Sequence, residues 1–169
     1  MNEIRLLFGK PAIQERGQLI SAIRDLQSRH GLIVQAMAAC KLAGKRHIHF
    51  AVEKALAAIS EQRNIAKDAG MEIMRYASGE RQIERALAMG VDDRTERVAL
   101  VLVREDMSRS WPEDWELSEI IEPDQDESSF DASAVREQFQ ISFEEIAAVG
   151  EERLEDLVVE RAALADTYR

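Results

Sequence analysis

The residues best suited to binding chemistry lie in a short turn, Ser78-Gly79, with Arg81 two positions later. In residues 71–76, Met71 and Ile73 alternate with Glu72 and Met74, and this period of two predicts a β-strand. Residues 83–90 carry apolar side chains at helical spacing and end in glycine, which predicts a helix. Serine is a favoured N-cap, and the N–H groups that open a helix can bind an anion. The sequence therefore predicts a strand–turn–helix with a potential anion site, although an ordinary capped turn is the commoner use of this pattern.

A second group of polar residues, Lys45, Arg46 and His47, precedes a segment with helical periodicity over residues 47–62. Cations at the start of a helix oppose its macrodipole and stabilise it little. An anionic partner is therefore one explanation for this basic turn. Simple solvation of the charges is the other, and the sequence alone leaves both open.

Neither a metal site nor an enzyme active site is indicated by the remaining candidates. His47 and His49 are two residues apart, so a helix would point them to different sides. The sequence contains no Cys-x-x-Cys pair and no His-x-x-x-His pair. Its glycines are scattered singly and form no phosphate-binding loop. We expect a protein that is not an enzyme and that uses no cofactor and no metal.

Charge is distributed unevenly along the chain. The net charge is −10, but residues 1–104 carry 17 Lys and Arg against 12 Asp and Glu, whereas residues 105–169 carry 5 against 20. This asymmetry predicts two surfaces with different partners, since a basic surface can meet phosphate and an acidic one a basic protein. No apolar run approaches the ~20 residues of a membrane helix. The single cysteine fits a reducing compartment, so we expect no membrane contact and a cytoplasmic location.

The order of elements predicts an α/β (α+β) fold. Alternating strands and helices indicate one domain over residues 1–169, with a small mixed sheet of about four or five strands, packed helices and a helical C-terminal region. Residues 4–8 predict an edge strand, and residues 32–37 and 98–103 predict further strands. The aliphatic run at 98–103 predicts burial on both faces of the sheet. An acidic loop is expected at about residues 122–133.

The best helical pattern in the chain covers residues 151–168. Its apolar stripe predicts either core packing or contact with a partner protein. Three acids, Glu151, Glu152 and Glu155, lie near its start, where the helix dipole favours them. The candidate contact residues are Leu154, Leu157, Val158, Arg161 and Leu164.

Several motifs, taken in order, resemble a known family. Lys45-Arg46-His47-Ile48, then Asn64-Ile65-Ala66, Met71-Glu72-Ile73 and Ser78-Gly79-x-Arg81-Gln82-Ile83 are similar to the series in the TPRKB-like proteins, archaeal type. These are the small regulatory, kinase-binding subunits of the KEOPS complex, which makes the threonylcarbamoyl modification of an adenosine in tRNA.

This resemblance implies a non-catalytic subunit with two partners, the kinase-like ATPase subunit of KEOPS and the 3′ CCA end of tRNA. Helices of such subunits, including the C-terminal one, contact the small lobe of the kinase. The tRNA-binding residues implied by the motifs are Lys45, Arg46, His47, Arg75, Ser78, Gly79, Arg81 and Ile83. Two alternatives stay open: an enzyme that binds a small ligand or phosphate, and a protein-only adaptor without tRNA contact.

Overall fold

The computed structural model describes residues 2–124 and 130–167. The chain forms two compact units: the first comprises Met1–Ala39 and Gly90–Glu127, and the second comprises Cys40–Met89 and Ser128–Arg169. The predicted α+β class is confirmed, with a four-stranded sheet in the first unit and a helical C-terminal region in the second. That residues 1–169 form one domain stays a prediction.

The first unit is built on an antiparallel sheet with the strand order β2-β3-β1-β4. Its strands are β1 (Glu3–Pro11), β2 (Ile33–Ala38), β3 (Val98–Arg104) and β4 (Ile121–Pro123). All pairings among these strands are antiparallel, where we expected a mixed sheet. The prediction that β1 is an edge strand is wrong, because β3 pairs along one side of it and β4 along the other.

Two helices accompany the sheet, α1 (Arg16–His30) and α5 (Asp114–Ser118). The inner face of α1 packs Leu19, Ile23 and Leu26 against the sheet residues Leu100 and Leu102. Residues 98–103 are all buried, which confirms the prediction made from their continuous aliphatic character. The sheet and α1 therefore share one apolar core.

The regular secondary structure in the described residues of the second unit is all helical. Its helices are α2 (Lys45–Ser60), α3 (Ala69–Ser78), α4 (Ile83–Ala86), α6 (Ala132–Phe139), α7 (Phe143–Val149) and α8 (Leu154–Ala163). Short 3₁₀ segments at Glu151–Arg153 and Leu164–Asp166 flank α8. The C-terminal helix is thus shorter than predicted, and residues 168–169 lie outside the described residues.

The predicted strand at residues 71–76 is wrong, because this segment lies inside α3. The Asp68 side chain accepts a hydrogen bond from the Met71 N–H and caps the start of the helix. Residues 72–78 are all buried, including the charged Glu72 and Arg75, so the polarity of a side chain does not indicate its exposure in this segment. Gly79 adopts the left-handed conformation (φ 71°) and ends α3 as its C-cap.

The prediction of an anion site at Ser78-Gly79 is wrong as well, because these residues end a helix and do not begin one. A helix C-terminus presents carbonyl groups, which carry partial negative charge. The Ser78 hydroxyl donates to the Arg75 carbonyl oxygen at 2.7 Å and accepts from the Glu80 N–H at 3.0 Å. Ser78 thus stabilises the turn that leaves α3. The predicted helix over residues 83–90 consists of α4 and the 3₁₀ segment Leu87–Met89.

Five of the twelve residues of the expected acidic loop, 125–129, lie outside the described residues, and its first two, Glu122 and Pro123, belong to β4. At its end Asp131 caps α6 by accepting from the Ala134 N–H. Within the described ranges, no helix combines the length and the apolar composition that crossing a bilayer requires.

Truncation of Leu100 to alanine should lower the free energy of unfolding by about 2–5 kcal/mol, because it leaves a cavity in the sheet core. Leu87→Ala is the matched control, because Leu87 is 43% exposed and its truncation should change stability by less than about 0.5 kcal/mol. Urea unfolding followed by circular dichroism measures both. Equal losses in the two variants would contradict the packing described here.

Candidate functional site

The basic start of α2 is covered by carboxylates from the start of α8. Gly44 precedes α2 and offers no side chain to cap it. Instead, the Glu155 carboxylate accepts a hydrogen bond from the backbone N–H of His47 at 2.9 Å. A Cβ at Gly44 would overlap this carboxylate, so glycine permits the close approach. One of the N–H groups that open α2 is therefore already satisfied by the chain itself.

Arg46 is also engaged by α8, through an ion pair with Asp156. Both side chains are more than half exposed, so the pair contributes at most ~1 kcal/mol and weakens with salt. Lys45 and Arg46 are exposed on adjacent positions of α2. The basic turn therefore keeps its cations at the surface, with acidic neighbours that partly offset their field.

His47 is buried and joins α2 to α3. Its Nδ1 accepts from the Ala43 N–H at 3.1 Å, which leaves the proton on Nε2, and Nε2 donates to the Ala77 carbonyl oxygen at 2.7 Å. The edge of the ring contacts Phe139 at a centroid distance of 5.5 Å. Burial lowers the pKa of His47 from 6.5 to about 4, and the bond to Ala77 opposes this only in part. At neutral pH His47 is uncharged and holds the start of α2 beside the end of α3.

Arg75 is buried too, in an ion pair inside α3. Its Nε donates to Glu72 Oε1 at 2.6 Å. The other oxygen of Glu72 accepts from the backbone N–H groups of Ile65 and Ala66 at 2.9 and 2.8 Å. Both side chains of the pair are essentially inaccessible. Arg75 therefore balances the charge of Glu72, which holds residues 65 and 66 in place. The Arg75 side chain is 1% exposed, so it presents no charge to solvent.

A cleft of about 680 Å³ within the second unit unites parts of the two predicted residue sets. Ser78 and Gly79, predicted to contact tRNA, lie on its wall with Leu157 and Leu164, predicted to contact a protein. The full lining consists of Ser78, Gly79, Glu80, Arg85, Gln138, Phe139, Gln140, Glu145, Leu157, Glu160, Arg161 and Leu164. Two of these residues are bonded to each other: Arg161 donates a hydrogen bond to Glu145 Oε2 at 2.7 Å. The cleft is thus lined by polar side chains together with aliphatic groups from α8 and from the 3₁₀ segment that follows it.

The remaining predicted residues differ in exposure. Arg81 is exposed and Ile83 half-buried. In the second set Leu154 and Leu157 are half-buried, whereas Leu164 is 36% exposed. Val158 is fully buried, so we assign it to the core of this unit.

A polar network that the sequence does not indicate connects the 3₁₀ segment after α8 to α3. The Tyr76 hydroxyl donates to Asp166 Oδ1 at 2.6 Å and accepts from Arg63 at 3.2 Å. Burial, followed by the bond to Asp166, raises the pKa of Tyr76. These three residues are separated by 13 to 103 positions in the chain, so no local pattern marks them.

Among the described residues, no group of three or more His, Cys, Asp or Glu side chains is placed to hold a metal ion. What the second unit does offer is a cleft, an exposed basic turn and buried polar groups that hold both in position. Exposed cations can contact phosphates, and half-buried aliphatic groups can be buried against a protein, so these features suit a protein that binds macromolecular partners.

Comparison with known proteins agrees with this class. The family model described as "Kinase binding protein CGI-121" matches residues 13–166. The chain therefore belongs to the CGI-121 family of kinase-binding proteins, and the resemblance inferred from the ordered motifs is confirmed at the level of the family. A search of curated proteins found no matching relative. The archaeal type stays a prediction.

The buried histidine predicts a specific pH dependence of stability. Its pKa is about 4 in the folded state against 6.5 for an unperturbed histidine, so the unfolded chain binds a proton first as the pH falls. The contribution of neutral His47 is therefore complete above pH 6.5 and is lost between pH 6.5 and 4, by up to about 3 kcal/mol.

Urea unfolding of the wild type and His47→Gln across this range tests the prediction. The stability difference between the two proteins should shrink as the pH falls, because glutamine does not titrate. An NMR titration of the wild-type ring provides a second measurement. A constant difference together with a ring pKa near 6.5 would contradict the buried neutral state.

Proposed function

We propose that this protein is the non-catalytic, kinase-binding subunit of a KEOPS complex, that it works in the cytoplasm and that it also binds the 3′ CCA end of tRNA. The observation that carries the proposal is the family match over residues 13–166, which supports a kinase partner. The tRNA contact rests on the motif series and on the exposed basic residues. In this proposal catalysis belongs to the partners, and this chain contributes binding energy and orientation.

For the kinase we propose the cleft of the second unit. Leu157 and Leu164 supply aliphatic surface there, and Arg161 is already oriented by Glu145. Half-buried leucines beside a positioned arginine suit a protein interface, in which apolar groups are buried and the arginine exchanges solvent for a partner's acceptors. Leu154 extends this surface along α8.

For tRNA we propose direct contacts from Lys45, Arg46 and Arg81, the exposed cations of the predicted set. Single-stranded ends are bound through phosphates and through base stacking on apolar or planar groups, and Ile83 is exposed enough to meet a base.

The buried members of the set act indirectly in this proposal. His47 ties the start of α2 to Ala77, directly before Ser78, so the basic turn and the Gly79 bend keep a fixed spacing. Arg75 and Ser78 hold the end of α3 in shape. These residues position the groups that touch tRNA and do not touch it themselves.

A protein-only adaptor is the second candidate, and one observation favours it. Glu155 and Asp156 occupy the same basic turn that tRNA would use. If Glu155 and Asp156 kept these contacts when the kinase is bound, the basic turn would only hold α8 in place and would not bind tRNA.

Substituting Leu164 with glutamate should weaken binding to the kinase-like subunit at least roughly tenfold, since it places a charge in the aliphatic part of the cleft. The matched control is Leu87→Glu, which changes a leucine of similar exposure in the same unit but outside the lining. Isothermal titration calorimetry measures both affinities. Equal weakening by both variants, or none by Leu164→Glu, would remove the cleft from the proposal while leaving kinase binding as such intact.

Charge reversal at Arg81 should lower tRNA affinity roughly tenfold near 0.1 M salt. It should also make the salt dependence shallower, by about 0.7 for each phosphate that the variant no longer neutralises. Arg94→Glu, at an exposed site in the first unit, makes the same charge change as a control. Gel shifts with tRNA that has or lacks the CCA end measure the effect.

Asp156→Asn probes the same surface in the opposite direction. It releases Arg46 from its ion pair and should strengthen tRNA binding. Equal affinity for tRNA with and without the CCA end, and equal effects of Arg81→Glu and Arg94→Glu, would remove the basic turn from the proposal. Kinase binding with no detectable affinity for tRNA would favour the protein-only adaptor.

A further inference from the structure

The first unit presents one large aromatic side chain to solvent. Trp115, on α5, is 62% exposed. Tryptophan is costly to leave in water and is enriched among the residues that dominate the energy of protein interfaces. An exposed tryptophan on a well-fixed element is therefore a candidate contact residue.

The short helix that carries Trp115 is held firmly. A capping box closes its start, in which Glu116 accepts from the Glu113 N–H at 2.8 Å. The buried Glu116 carboxylate also accepts from Arg29 at 2.5 Å and from His30 at 2.9 Å, both at the end of α1. Because these bonds fix α5, presenting the Trp115 ring to a partner costs little conformational entropy.

The surroundings of Trp115 are acidic. Asp114 precedes it, and Glu119 follows at i+4, the spacing that places two residues on one face of a helix. Both carboxylates are exposed, and within the described parts of the chain neither forms an ion pair or side-chain hydrogen bond. Residues 113–119 contain no Lys or Arg. Arg29, the cation bonded to this helix, pairs with Asp25 and Glu116, so the patch combines an exposed aromatic ring with two carboxylates that form no ion pair in the described parts of the chain.

The other tryptophan shows what Trp115 lacks. The Trp111 ring forms cation–π contacts with Arg5 and Arg104, whose guanidinium carbons lie 4.6 and 5.0 Å from the ring centroid. Among the described residues, no such cation lies over Trp115. An aromatic face next to carboxylates attracts a guanidinium or ammonium group, which can stack on the ring and pair with the acids.

We propose that Trp115, Asp114 and Glu119 form a docking surface for a basic segment of a second partner protein, with an Arg or Lys side chain of that segment stacked on the indole ring. The charge complementarity selects a cationic segment over an acidic or nucleic-acid one. This surface belongs to the first unit and uses none of the residues proposed for the kinase or for tRNA.

Titration of the full chain with a synthetic nine-residue peptide of alternating arginine and alanine tests the proposal, with the glutamate–alanine peptide as its counterpart. We expect saturable binding of the arginine peptide only. Trp115→Ala should lower its affinity about fivefold or more, whereas Phe143→Ala, at an aromatic residue that is 73% exposed, should change it less than about twofold.

The contribution of charge is tested with two double variants that remove the same number of carboxylates. Asp114→Asn with Glu119→Gln should weaken binding about fivefold or more, and Glu151→Gln with Glu152→Gln less than about twofold. In ¹H–¹⁵N spectra of the wild type, the arginine peptide should shift the indole N–H of Trp115 and leave that of Trp111 in place.

Three results would overturn the proposal. The first is no binding of the arginine peptide at ~1 mM, since even a weak specific contact saturates in that range. The second is equal weakening by the test variants and their controls, because it would mean that the peptide responds only to net charge. The third is a shift of the Trp111 indole alone.

Discussion

The hydrogen bond from His47 to the Ala77 carbonyl oxygen is the constraint on which the arrangement of the second unit depends. It fixes the start of α2 beside the end of α3, while burial and the hydrogen bond that Nδ1 accepts from the Ala43 N–H keep the imidazole neutral. Glu155 and Asp156, at the start of α8, bind the backbone N–H of His47 and the side chain of Arg46, so α8 also contacts the start of α2. The basic turn and the Gly79 bend are consequently held by buried polar bonds, and breaking these bonds would leave unsatisfied groups in the interior.

Part of the fold can be predicted from the sequence, because some elements bury only one face and others are apolar along their whole length. The helix α1 shows regular apolar spacing, and β3 is a continuous aliphatic run, so the sequence predicts both. It does not predict the helix α3, because α3 is buried all round and contains the ion pair of Glu72 and Arg75. A sequence pattern cannot distinguish a buried charged pair from a solvated polar face.

The sequence predicts which residues belong to the candidate site, but it does not predict which of them are exposed and which are buried. The ordered motifs led to the correct family and to the basic residues near 45 and 81. They did not separate exposed Lys45, Arg46 and Arg81 from buried His47 and Arg75, since burial depends on partners far along the chain. Ala77 is 30 residues from His47, and Glu155 is 108 residues from it. These tertiary contacts leave no local signal.

The chain belongs to a family of kinase-binding proteins, and we propose that the cleft with Leu157 and Leu164 is where the kinase binds. Hydrogen–deuterium exchange of the full chain, alone and with the kinase-like subunit, tests this most directly. We expect slowed amide exchange in residues 78–80 and in α8, with α1 unchanged. Unchanged exchange in α8 under saturating partner, or protection confined to the sheet, would contradict it.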